Sequence, residues 1–185
     1  MANIFIIHGT GGDPECNWFP WLKTELEKSG HNVYAPKFPT PKNQSIETWL
    51  NVFSGYEKHL NESAVVIGHS LGSAFLLSVL EKLDHPIKTA YLVSGFIGLI
   101  DNPEFDELNR TFTIKDFNWA KIKKNCKSFY VINSDNDPYV PIQKGQELAR
   151  NLSAKLIILH GAGHINKDSG YLKFCSLLDL VLKNK

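Results

Sequence analysis

Ser70 stands at the centre of Gly68-His69-Ser70-Leu71-Gly72, a G-x-S-x-G pattern that follows the apolar run Ala64-Val65-Val66-Ile67. That run favours a buried strand. The segment from Leu71 to Leu83 carries Ala74, Phe75, Leu77, Leu80 and Leu83 without a proline, which favours a largely buried helix. A strand that turns sharply into a helix lifts the serine hydroxyl above the sheet, where it can act as a nucleophile. Glycine suits positions 68 and 72 because larger side chains there would collide with the neighbouring strand and helix. The competing reading is that Ser70 only caps the helix, with its hydroxyl engaged by a backbone N–H.

A serine nucleophile needs a base to take its proton and an acid to orient that base. The strand-like run Phe129-Tyr130-Val131-Ile132 leads into Ser134-Asp135-Asn136-Asp137-Pro138-Tyr139-Val140-Pro141, whose prolines and Asp/Asn residues form a turn. Asp137 is the expected acid, because it lies deeper in the loop than Asp135 and directly before a proline. Asx-turns or a cap on the following helix are the alternative roles for both aspartates. Of the seven histidines, only His160 and His164 follow this loop. His160 ends the apolar run Leu156-Ile157-Ile158-Leu159, whereas Gly161-Ala162-Gly163 carries His164 out on a pliable loop, so His164 is the expected base. Their spacing of four does not make a metal site, since the glycines between them oppose a helix and no third ligand accompanies them.

Backbone N–H groups must also face the oxyanion of the reacting carbonyl. The run Ile4-Phe5-Ile6-Ile7 followed by His8-Gly9-Thr10-Gly11-Gly12 supplies a strand and an open glycine loop, which makes the N–H groups of Thr10 and Leu71 the expected donors. A phosphate-binding loop is disfavoured, because no Lys-Ser/Thr follows these glycines and G-x-G-x-x-G is not matched.

These parts must be held by strand-like runs near 3–8, 32–35, 64–68, 89–94, 128–133 and 155–160, alternating with helical patterns. Such alternation predicts a mostly parallel sheet of about six strands with helices on both faces. The inward helix faces read as Ile46, Trp49, Leu50, Phe53 and Leu60 on one helix, and Tyr171, Phe174, Cys175, Leu178, Val181 and Leu182 on the last. The least regular stretch runs from Gly95 to about Lys115, too short for a separate cap domain. Its Phe96, Ile97, Phe105 and Phe112, together with Leu99 and Ile100, read as the wall of an acyl or alcohol pocket.

The 185 residues, 43% of them hydrophobic, suffice for one core and predict a single domain spanning 1–185. A net charge of +1 points to no polyanionic partner, and Lys121, Lys123, Lys124 and Lys127 read as a solvated helix end rather than a nucleic-acid surface. Cys16, Cys126 and Cys175 are odd in number and widely spaced, which predicts reduced thiols in a cytoplasmic protein. No basic segment precedes an apolar one at the N-terminus, and no apolar run approaches the roughly 18 residues of a membrane span. The expectation is a soluble chain without a membrane partner.

The order Ser, Asp, His is that of an α/β-hydrolase, not of the chymotrypsin or subtilisin designs. Further motifs carry a closer resemblance: Trp18-Phe19-Pro20-Trp21-Leu22, Leu92-Val93-Ser94-Gly95-Phe96, Phe117-Asn118-Trp119 with Lys121-Ile122, and Asp137-x-x-Val140-Pro141. Over nearly its whole length the chain resembles the small lidless α/β-hydrolases of the YdeN and retinoblastoma-binding serine hydrolase family. That resemblance implies the α/β-hydrolase fold, with Ser70 as nucleophile, Asp137 as acid and His164 as base. The chemistry expected is cofactor-free hydrolysis of a small ester, with an amide, acyl transfer or a protein-interaction role on the same fold as alternatives.

Overall fold

The computed structural model describes residues 1–184. Its elements are β1 (Asn3–Ile7), α1 (Phe19–Lys28), β2 (Asn32–Tyr34), α2 (Ile46–Ser54), β3 (Val65–His69), α3 (Leu71–Lys82) and β4 (Ile87–Val93), then α4 (Pro103–Thr113), α5 (Trp119–Lys124), β5 (Cys126–Ser134), α6 (Ile142–Leu152), β6 (Lys155–Leu159) and α7 (Cys175–Lys183). The strands form one sheet in the order β2-β1-β3-β4-β5-β6, and every neighbouring pair is parallel. Each strand-like run of the sequence is a strand.

Alternation along the strands divides the apolar side chains between two faces. Phe5, Ile7 and Val66 join Trp49, Phe53, Phe75 and Leu148 on one side of the sheet. Ile4, Ile6, Val65 and Ile67 join Trp18, Leu22, Leu177 and Val181 on the other. α3 lies at the centre, with every residue from Leu71 to Leu80 buried.

From β1 the chain moves outward to β2 and then returns to the other side of β1 as β3. The loops after β1 and β3 therefore diverge from adjacent strand ends, and a crevice opens at that reversal. Close packing there explains two glycines. A Cβ at Gly68 would come within 2.7 Å of the Gly72 backbone, and one at Gly72 would meet the carbonyl oxygens of Ile7 and His8, the latter at 2.6 Å.

Three expectations are corrected. The stretch after Gly95 contains α4, which starts with Asn102 accepting from Phe105 N–H and with a proline in its first turn, both strong helix starters. Leu60 is a core residue beyond the end of α2. On α7 the buried positions are Leu177 and Val181; Cys175 is exposed, while Phe174 is buried just before the helix.

Candidate active site

Ser70 bridges β3 and α3 with φ 54° and ψ −123°, a conformation that non-glycine residues seldom adopt. The turn is fastened on both sides. Ser70 N–H donates to the Val93 carbonyl at 2.8 Å, and the Ser70 carbonyl accepts from Ser73 N–H at 2.9 Å. Although Ser70 holds the N-cap position, its side chain makes no capping hydrogen bond, so the hydroxyl is left available at the strand end.

The loops after β5 and β6 are stitched to one another residue by residue. Ser134 Oγ accepts from Ala162 N–H at 3.0 Å, Asp135 Oδ1 from Gly161 N–H at 2.9 Å, and Asn136 Oδ1 from Gly163 N–H at 2.8 Å. Asp137 Oδ2 completes the series, 2.7 Å from His164 Nδ1. The Asp137 side chain is fully buried and that of His164 is 11% exposed. Asp135 instead pairs with His160 at 2.6 Å, on a ring that is 85% exposed.

The backbone of His164 is anchored as well. Its carbonyl accepts from His69 Nε2 at 2.9 Å and from Ser94 Oγ at 3.1 Å, while its N–H donates to Ser169 Oγ at 3.2 Å. Burial, aided by the nearby His164, pushes the His69 pKa down to about 3. His69 is therefore neutral, with Nε2–H as its donor. His8 is also held below its ordinary value by burial; its Nδ1–H donates to Gly9 O while its Nε2 accepts from Phe38 N–H. This bond ties the loop after β1 to the segment after β2.

Ser70 and His164 line a single cleft of about 260 Å³ at the sheet reversal, together with Thr10, Phe96 and Phe105. Asp137 lies behind His164, out of the cleft. Leu71 is buried at the first position of α3, where its N–H has no intrahelical acceptor. Among the described residues neither this N–H nor that of Thr10 donates a hydrogen bond. Three expected pocket residues lie elsewhere: Ile97, Phe112 and Leu99, the last an exposed side chain outside the cleft. Phe112 is fully buried against Trp49, with ring centroids 5.0 Å apart, and Ile97 borders a separate depression beside Phe117 and Trp119. Ile100 lines the cleft as expected, Asn109, Tyr139 and Val140 join it, and Asn17, Asn166, Lys167 and Asp168 form a polar end. Asn109 was readable from spacing once α4 is recognised, since it follows Phe105 by one turn.

A family model described as serine hydrolase matches residues 4–183. The chain belongs to the serine hydrolase family. It is 32% identical to YdeN of Bacillus subtilis over 96% of this chain and 93% of that one. To the serine hydrolase RBBP9 of Rattus norvegicus it is 30% identical, over 86% and 84% of the two chains. The crystal structure of the ydeN gene product superposes with a TM-score of 0.93 at 30% identity, covering 100% of this chain and 98% of that one. The methylesterase MES16 from Arabidopsis superposes at 0.74 with 14% identity, covering 99% and 98%, a likeness of fold alone. The fold is that of the α/β-hydrolases, and the cleft lined by Ser70 and His164 lies at the carboxyl ends of β1 and β3, where open α/β sheets commonly bind ligands.

Proposed function

We propose that this serine hydrolase cleaves small carboxylic esters through a Ser70, His164 and Asp137 triad. The observation that carries the reading is the 2.7 Å pairing of His164 Nδ1 with the buried Asp137 carboxylate, on a histidine that shares its cleft with Ser70. Because Nδ1–H faces Asp137, the lone pair of His164 is on Nε2, the tautomer a general base needs.

In this mechanism His164 Nε2 removes the Ser70 proton as Oγ attacks the ester carbonyl carbon. The carbonyl oxygen becomes an oxyanion received by the N–H groups of Thr10 and Leu71, each worth about 3–4 kcal/mol in comparable sites. His164 then returns the proton to the departing alcohol, leaving an acyl-Ser70 ester. Water attacks that ester with His164 again as base, releasing the carboxylic acid and restoring the serine. The chemistry needs no cofactor. The three cysteines, all free thiols, fit the same proposal of a cytoplasmic enzyme.

A fluorophosphonate probe tests the centre without assuming a substrate. The folded protein is expected to be labelled, and labelling to vanish in Ser70→Ala and His164→Ala. An unlabelled but folded and accessible protein would sink the triad and favour an interaction role. Matched esters and amides then decide the reaction: turnover of the amide at a comparable rate would replace the ester assignment.

A further inference from the structure

Asn109 projects from α4 into the cleft, and only 3% of its surface is exposed. Its side chain belongs to a set of hydrogen bonds whose directions are mutually fixed. Gly11 N–H donates to Thr40 Oγ1 at 2.7 Å, and Thr40 Oγ1–H donates to Gln44 Oε1 at 2.5 Å. Gln44 must then present its amide nitrogen, which donates to Leu108 O at 2.9 Å and to Asn109 Oδ1 at 3.0 Å. Thr10 Oγ1–H donates to the same Asn109 oxygen at 2.5 Å. With Oδ1 holding two donors, the Asn109 amide cannot flip, and Nδ2 is directed away from the network. Among the described residues Nδ2 has no acceptor, and it opens to the cleft rather than being sealed in the protein.

We propose that Asn109 Nδ2 is a specificity donor for the acyl chain, selecting esters that carry a hydrogen-bond acceptor oxygen on the α or β carbon. The inference rests on the hydrolase reading above. In that reading the oxyanion lies at Thr10 N–H, and the departing alcohol must reach His164 Nε2. The acyl chain takes the remaining direction, along the wall of Phe96, Ile100, Phe105 and Asn109. Three of these are apolar and the fourth presents one fixed donor beside Thr10. An acyl chain without an acceptor strips water from Nδ2 and returns nothing, whereas an oxygen at that point pairs with a donor already in place.

The test compares two pairs of nitrophenyl esters matched in size: methoxyacetate with butyrate, and 3-methoxypropanoate with pentanoate. For each pair the ratio of kcat/KM is divided by the ratio for hydroxide hydrolysis, which removes the intrinsic activation by the ether oxygen. In at least one pair the wild-type enzyme is expected to favour the oxygen-bearing ester by about tenfold beyond hydroxide. At alkaline pH, Asn109→Asp retains an acceptor for Thr10 and Gln44 but loses the donor, and any uniform effect of its charge cancels in the ratio. That variant, and Asn109→Leu beside it, should fall to the hydroxide ratio. A wild-type enzyme already at the hydroxide ratio in both pairs, or an Asp variant that keeps the preference, would overturn the assignment. Failure of the hydrolase reading looks different: no ester is turned over and Ser70 takes no fluorophosphonate, which overturns both.

Discussion

Asp137 uses its two carboxylate oxygens for different tasks: Oδ2 meets His164 Nδ1 at 2.7 Å, while Oδ1 accepts from Tyr139 N–H at 2.9 Å and Val140 N–H at 3.0 Å. The carboxylate is thus an Asx-turn acceptor and the partner of the histidine at once. The turn reading weighed from sequence thus holds for this side chain without excluding the proposed role as acid, which needs only the other oxygen.

This division predicts the behaviour of Asp137→Asn. The amide oxygen can keep both backbone donors, so the loop should fold. The amide nitrogen then faces His164 Nδ1 and draws the imidazole into the wrong tautomer, with Nε2 protonated. A fall in kcat of about 10⁴-fold is expected with the unfolding midpoint nearly unchanged. Near-normal turnover of a nitrophenyl ester would move the acid role to another carboxylate.

The neighbouring Asp135 and His160 pair offers an internal control. It has the same chemical make-up and a similar separation, but its imidazole is in solvent and it does not line the cleft. Exposed pairs contribute little. His160→Ala should leave kcat/KM within about twofold and stability within about 0.5 kcal/mol. His164→Ala should abolish turnover. Equal losses in the two variants, measured side by side, would contradict the assignment of the base.

Burial of neutral His69 links stability to pH. Above its ordinary value of 6.5 the residue is uncharged in both folded and unfolded chains and contributes no pH dependence. Below that value the unfolded chain binds a proton that the folded chain refuses, and stability falls by about 1.4 kcal/mol per pH unit until the folded value of about 3 is reached. His8 acts in the same direction. Denaturant unfolding at pH 5 should therefore show about 2 kcal/mol less stability from His69 than at neutral pH. His69→Gln, which does not titrate, should remove that part of the slope; an unchanged slope would locate the proton uptake elsewhere.

The strands and the turns that carry Ser70, Asp137 and His164 were legible for one reason: each is marked by local pattern. Runs such as Val65-Val66-Ile67 show a strand without knowledge of its neighbours, and the elbow glycines announce close packing. The chain order of Ser70, Asp137 and His164 implied their convergence only because a parallel sheet gathers its strand ends on one side. The cleft wall was harder to read. Apolar character alone cannot separate Phe105, which lines the cleft, from Phe112, which lies two helical turns further on and is locked against Trp49. Missing the Asn102-Pro103 start of α4 removed the periodicity that would have grouped Phe105 with Asn109. His69 was passed over because its role is the support of a carbonyl distant in sequence, an interaction without any local signature.

The backbone of Ser70 carries a consequence for how this protein can change. Holding a serine at φ 54° and ψ −123° costs about 1–3 kcal/mol, whereas glycine tolerates that region at an entropic cost of about 0.5–1 kcal/mol. Ser70→Gly should then melt a few degrees above the wild-type protein while being inert, and Ser70→Ala should be inert without that gain. On the proposed mechanism, one substitution would exchange reactivity for stability. The strain at this bend is thus a cost that the fold itself does not need, and the proposed nucleophile gives it a purpose.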